Sequence, residues 1–300
     1  MTDIVSPMPA TPGEVLDVRP VCQVVIGDFG RDAAVRYLSA LSRSERRFLQ
    51  GVLAPCGLPF FDEYRRITWV ALAEVAFIKA ELIESVRRRD GHLTDQVLLG
   101  EAWSAVPESV MEALVELVMT AVAAVVSRGY ERVRVVLPCN SLGGMLTEVG
   151  RRVVGRLSAD GLDLDFPSVA AVVARALRSQ LAQLPLLVLG ATGAQVVYEA
   201  EVRRMGGTVV QLRQSEQRMI ERLVLSCVAE TTEAADARVL RGMAERAAAI
   251  HGPILVLQAC TDFDFGVGVD ALRIFADEMV KDCYGTGWLA ASSQSVGEDS

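Results

Sequence analysis

The sequence predicts an α/β fold built on parallel strands, and three observations carry that prediction. Short apolar runs rich in β-branched residues alternate with stretches of helical periodicity along most of the 300 residues. The turns between them are short and hold Gly or Pro. Two of the runs, Val133-Arg134-Val135-Val136 and Pro253-Ile254-Leu255-Val256-Leu257, lead into a cysteine backed by small polar residues: Leu137-Pro138-Cys139-Asn140-Ser141 and Gln258-Ala259-Cys260-Thr261-Asp262. Ligands of open α/β sheets bind outside the carboxyl ends of the strands, so two thiols at two such ends suggest one small-molecule site.

Composition narrows the function classes. A hydrophobic fraction of 51% with 23% charged residues describes a folded protein with a sizeable core. A net charge of −8 argues against a nucleic-acid or anionic-membrane surface. Uninterrupted apolar runs such as residues 121–126 are too short to span a bilayer. No basic-then-apolar leader opens the chain, so a cytoplasmic location with a frayed N-terminus is expected. Six cysteines are too few for a disulfide scaffold, and none stands in a CxxC pair. The two histidines, His92 and His251, have no ligand-like neighbours, so no metal is expected. The two lysines, Lys79 and Lys281, lie away from strand ends, which leaves little support for a Schiff-base cofactor.

Taken in order, residues 21–26 read as a first buried strand, broken by Gly27-Asp28-Phe29-Gly30 and followed by a helix over about 32–41. Gly27 and Gly30 suit either an anion site or a turn that needs positive φ. Residues 42–107 fit the alternation least. They contain a helical stretch at 44–49, the breaker Pro55-Cys56-Gly57-Leu58-Pro59, and a broad apolar stripe that predicts a long helix over about 62–89. Arg87-Arg88-Arg89 then read as the solvated end of that helix. Helices are predicted over about 107–128, 143–157, 166–184, 194–205, 215–228, 234–251 and 269–283. Strands are predicted at 186–189, at 208–212 and before Cys260, with an acidic turn at 160–165. Cys22, Cys56, Cys227 and Cys283 read as small core residues.

A faint duplication shows in the same string. A Gly-bearing strand end followed by a Cys-bearing one occurs at Gly27 and Cys139, then at Gly190 and Cys260, over 112 and 70 residues. The excess of about 42 falls in the irregular 42–107 stretch, which reads as an insertion. Two similar halves, each giving one thiol, suit a proton transfer in which one thiolate removes a proton from a carbon acid and the other thiol returns one to the opposite face. With neither lysine nor metal in place, hydrogen bonds from Asn140, Ser141, Thr192, Thr261 and local N–H groups must stabilise the carbanion.

Pro138-Cys139-Asn140-Ser141 is similar to the Cys-Asn-Thr motif of the aspartate/glutamate racemase superfamily, and Ala259-Cys260-Thr261-Asp262 resembles its Gly-Cys-Thr-Glu or Gly-Cys-Thr-His motif. Between them, Leu187-Val188-Leu189-Gly190-Ala191-Thr192, Tyr198 and Gly206-Gly207 resemble the family's Gly-Thr strand end and its following helix. The resemblance implies two pseudo-symmetric three-layer α/β domains with four-stranded parallel sheets and an active site in the cleft between them. It also implies a cofactor-independent isomerase, commonly a homodimer, acting on an amino acid or related carboxylate. Carried over position by position, Cys139 and Cys260 become the acid/base pair. Asn140, Ser141, Thr192 and Thr261 become substrate ligands, with Asp28 and Asp262 as further contacts. The implied division is a tail over 1–18, a first domain over 19–165 plus 270–292, a second over 166–269, and a tail over 293–300. Ser141 for Thr, Ala259 for Gly and Asp262 for Glu depart from the family pattern, as does the insertion.

Alternatives stay open on the residues themselves. Thr192 suits a helix cap as well as a ligand, and Asp262 a cap as well as a partner for a thiol. Related members isomerise a cis double bond or decarboxylate with one thiol, and a non-catalytic binding protein could keep the fold.

Overall fold

The computed structural model describes residues 21–27, 33–53, 67–72, 108–140, 143–157, 161–228, 234–261, 263 and 265–284. The first half contains β1 (Val21–Ile26), α1 (Ala33–Leu53), β2 (Ile67–Leu72), α2 (Glu108–Val126), β3 (Arg132–Val136), α3 (Gly143–Arg156) and β4 (Asp163–Asp165). Next come α4 (Val169–Ala176), α5 (Arg178–Leu181), β5 (Leu186–Leu189), α6 (Thr192–Arg204) and β6 (Val209–Val210). The chain continues through α7 (Gln214–Val228), α8 (Ala234–His251), β7 (Leu255–Gln258), β8 (Val269–Asp270) and α9 (Ala271–Tyr284).

The strands form two four-stranded sheets of the same order, β2-β1-β3-β4 and β6-β5-β7-β8. Every strand pair in them is parallel. Parallel strands joined through helices bury both faces, and the period of two in side-chain direction sorts each strand's residues between two cores. Cys22, Val24 and Ile26 of β1 join α2 and α3 on the outer side of the first sheet. Leu187 and Leu189 of β5 join α7 and α8 on the outer side of the second. Val21, Val25 and Val136 of the first sheet share one cluster with Leu186, Val188, Leu257 and Ala259 of the second, together with α1, α4, α6 and α9. The inner helices thus form one continuous layer between the sheets. Exchanging the halves carries the α1–α9 contact onto the α6–α4 contact, and α4 also packs on α9.

Three predicted elements are corrected. The helix expected over 62–89 is a strand in its described part: Ile67–Leu72 pairs in parallel along β1, from Val21 opposite Ile67 to Ile26 opposite Leu72. Its β-branched residues suit a pleated surface, and the Ile67 N–H donates to the buried Glu45 carboxylate of α1 at 3.1 Å. That carboxylate also accepts from the Tyr284 hydroxyl at 2.7 Å. The irregular stretch therefore holds an integral strand of the first sheet. The acidic turn at 160–165 contains β4, whose Asp163 and Asp165 pair with Arg132 and Arg134 of β3 at 3.0 and 2.9 Å. The last helix is preceded by β8. Gly268 enters that strand at φ +78°, where an added Cβ would stand 2.3 Å from the Val256 carbonyl oxygen.

The helices predicted at 32–41 and 44–49 are one helix, α1. Helix α2 is long and apolar enough to cross a membrane, which uninterrupted runs alone did not reveal. It packs instead on the first sheet through Val110, Leu114, Val115, Val118 and Val122. The tails, Cys56, His92, Lys79 and the Arg87–Arg89 run lie outside the described residues.

Candidate active site

Cys139 and Cys260 occupy matching positions in the two sheets. Val136 of β3 lies opposite Val25 of β1, and Gln258 of β7 lies opposite Leu189 of β5. Extending both registers sets Gly27 opposite Pro138 and Gly190 opposite Ala259, the residue before each cysteine. The second approach is tight. A Cβ on Gly190 would lie 2.9 Å from the Ala259 carbonyl oxygen and 3.2 Å from the Ala194 Cβ. The Ala259 N–H extends the ladder to the Leu189 carbonyl at 2.9 Å, and the Cys139 N–H turns back onto the Leu137 carbonyl at 2.7 Å. Both thiols are partly buried, Cys139 against the outer core of the first sheet and Cys260 against that of the second.

The other described cysteines differ in kind. Cys22, Cys227 and Cys283 are buried, as predicted. Burial pushes the Cys22 and Cys283 thiols up to about 11, opposed in part by Arg128 at Cys22 and by Arg134 at Cys283. Neither supplies a thiolate at neutral pH.

The residue after each catalytic candidate is held from the opposite half. Tyr198 of α6 is wholly buried and donates its hydroxyl to Asn140 Oδ1 at 2.7 Å. Burial raises the Tyr198 hydroxyl far above its ordinary value, with Asp270 adding to the rise, so it stays a donor. Asn140 Nδ2 is buried with no partner among the described residues, a donor positioned beside Cys139. In the mirrored place, the Arg36 Nη1 of α1 donates to the carbonyl oxygen of Thr261, itself buried. Arg36 also pairs with Asp270 of β8 at 3.7 Å. The inner helix that follows the Gly-bearing strand of each half thus grips the cysteine loop of the other.

Thr192 is the first residue of α6, whose N-cap is Ala191 without a side-chain cap bond, so the capping role does not apply. Its hydroxyl donates to Glu221 Oε1 at 2.5 Å and accepts from Gln217 Nε2 at 3.2 Å. Gln217 Nε2 also lies 3.3 Å from the Gly190 carbonyl oxygen. The expectation that both cysteines stand at strand-to-helix junctions is half corrected. Helix α3 begins four residues after Cys139, at Gly143, but the next helix after Cys260 is α9 at Ala271. Asp28, Ser141 and Asp262 lie outside the described residues. Sequence reading missed Arg36, Gln217 and Glu221. The last two carry one available signal, a spacing of four on a single helix. Among the described residues no cluster of three His, Cys, Asp or Glu side chains could hold a metal ion.

No protein-family model matches the chain, and no curated protein matches it by sequence. Solved structures do. A Yersinia pestis structure named for the Asp/Glu racemases is 12% identical, with a TM-score of 0.53 over 92% of this chain and 99% of that one. An aspartate racemase homologue from Pyrococcus horikoshii is 14% identical, at 0.55 over 88% and 99%. The Picrophilus torridus aspartate racemase is 12% identical, at 0.52 over 88% and 94%. The chain therefore has the fold of the aspartate/glutamate racemase superfamily, the one its motifs resemble.

Proposed function

We propose that the protein is a cofactor-independent racemase or epimerase that inverts the α-carbon of an amino acid or related carboxylate. One observation carries the reading: two cysteines at the same register of two equally ordered sheets, each followed by a buried residue gripped from the other half. In one direction the Cys139 thiolate takes the α-proton and becomes a thiol, and the electron pair stays on the substrate. The Cys260 thiol then delivers its proton to the opposite face and is left as thiolate. The reverse direction exchanges the roles.

The enolate-like charge needs donors in place beforehand, and Asn140 Nδ2 is one. Tyr198 fixes the amide so that its oxygen faces the phenol and its nitrogen is left for the substrate carboxylate. Ser141, Asp28 and Asp262 are proposed as further contacts on the strength of the motif resemblance alone. The experiment is a panel of single-enantiomer amino acids incubated with the protein and analysed by chiral chromatography. Appearance of the opposite enantiomer supports the reading. Solvent deuterium entering a substrate without inversion, or a change in product mass, would replace it with a lyase or a one-base reaction.

A further inference from the structure

We propose that Glu221 selects the substrate's far end, favouring side chains that donate hydrogen bonds or carry positive charge over side-chain carboxylates. The selection rests on the racemase reading of the site; the charge placement behind it does not.

Helix α7 lies on the outer side of the second sheet, anchored by Ile220, Leu223 and Val224 in the cluster that Cys260 packs against. Gln217 and Glu221, four residues apart, bond together at 3.2 Å and point to the end of β5. A threonine hydroxyl has one proton to give. Here it goes to Glu221, and one acceptor site is filled by Gln217. What Thr192 retains toward the cleft is a lone pair. Gln217 is itself fixed, since its Oε1 accepts from Gln195 Nε2. A substrate carboxylate arriving here would meet an acceptor oxygen and, behind it, a like charge. Among the described residues Glu221 enters no ion pair, so no neighbour neutralises that charge. An ammonium, amide N–H or hydroxyl would find an acceptor instead.

The test compares the wild-type chain with Glu221→Gln, a change of charge at constant shape. Cys260 is modified with cationic trimethylammonium-ethyl and anionic sulfonato-ethyl methanethiosulfonate, and the rates are read peptide by peptide in the mass spectrometer. We expect the cation to react about tenfold faster relative to the anion in the wild type, and that ratio to fall several-fold in Glu221→Gln. An unchanged ratio overturns the proposal. In the chiral panel, basic, amide or hydroxyl amino acids should be inverted at least about tenfold faster than dicarboxylic ones, with the gap narrowing in the variant. Faster inversion of dicarboxylic substrates by the wild type also overturns it. A changed modification ratio with no substrate inverted would leave the charge placement standing and count against the racemase reading.

Discussion

In the first half, the strand that delivers Cys139 leads within four residues into helix α3. In the second, the strand that delivers Cys260 leads into a loop whose Thr261 carbonyl is held by Arg36. The sheets have one order and their cysteines one register. The positive ends differ, a helix N-terminus on one side and a guanidinium on the other. The neighbours of the Gly-bearing strands differ too. Only β5 is shown with a polar cluster at its end, made of Thr192, Gln217 and Glu221. The shared backbone positions two thiols on equal terms, which a reaction that runs both ways requires. The unshared side chains must tell one end of the substrate from the other.

The largest effects should come from what the halves share. Cys139→Ala and Cys260→Ala should each lower inversion by about a thousandfold or more, because removing either acid/base group stops one proton transfer. Chiral chromatography checks this, and a residual rate that is high in only one variant would break the equivalence. Next come the two buried phenols. Tyr198→Phe leaves Asn140 Oδ1 buried without its donor, and Tyr37→Phe does the same to Gln23 Oε1. Each should cost about 1–3 kcal/mol in urea unfolding. Only Tyr198→Phe should also lower turnover, by about tenfold, since only it releases a donor beside a catalytic thiol. Equal loss of activity in both would reduce the cross-half grip to a packing contact.

A smaller change is expected at Gly190. Its Ala variant presses a Cβ against the Ala259 carbonyl and should lose about 1–3 kcal/mol, with turnover falling as the Cys260 loop shifts. The smallest effect lies far from the thiols, where Arg152 joins Glu108, Glu112 and Glu148 on the outer side of the first sheet. Bonds from Arg151 and Arg152 hold the Glu148 carboxyl down at about 2, below its ordinary 4.5. A depressed folded-state value means that its contribution is complete above about pH 4.5 and is lost as pH falls toward 2. Melting temperatures of Arg152→Ala should therefore lie slightly below wild type at pH 7 and converge with it in acid.

Much of the shared framework was legible in the sequence, and little of the asymmetry was. The β-branched runs at 21–26 and 186–189 and the Cys-bearing ends announce themselves, because buried parallel strands read as short apolar blocks. Ile67–Leu72 was misread because its apolar positions also fit a helical stripe, and only pairing with β1 decides between them. The edge strands β4 and β8 have three and two residues, with Asp163, Asp165 and Asp270 giving no apolar alternation. The bonds that assemble the site join residues distant in sequence, 58 positions for Tyr198 and Asn140 and 225 for Arg36 and Thr261. No local pattern encodes them. Thr192 was visible as a motif residue, but its commitment to Glu221 depends on how α7 packs.

The central claim is that two thiols act on opposite faces of one carbon. It is tested most directly by incubating a single enantiomer of an inverted substrate in D₂O and stopping the reaction early. The account predicts deuterium at the α-carbon of the newly formed enantiomer and protium in the recovered substrate, because the removing and the returning thiol differ. Deuterium in both enantiomers from the first time points, or protium carried into the product, would mean a single base and would contradict it.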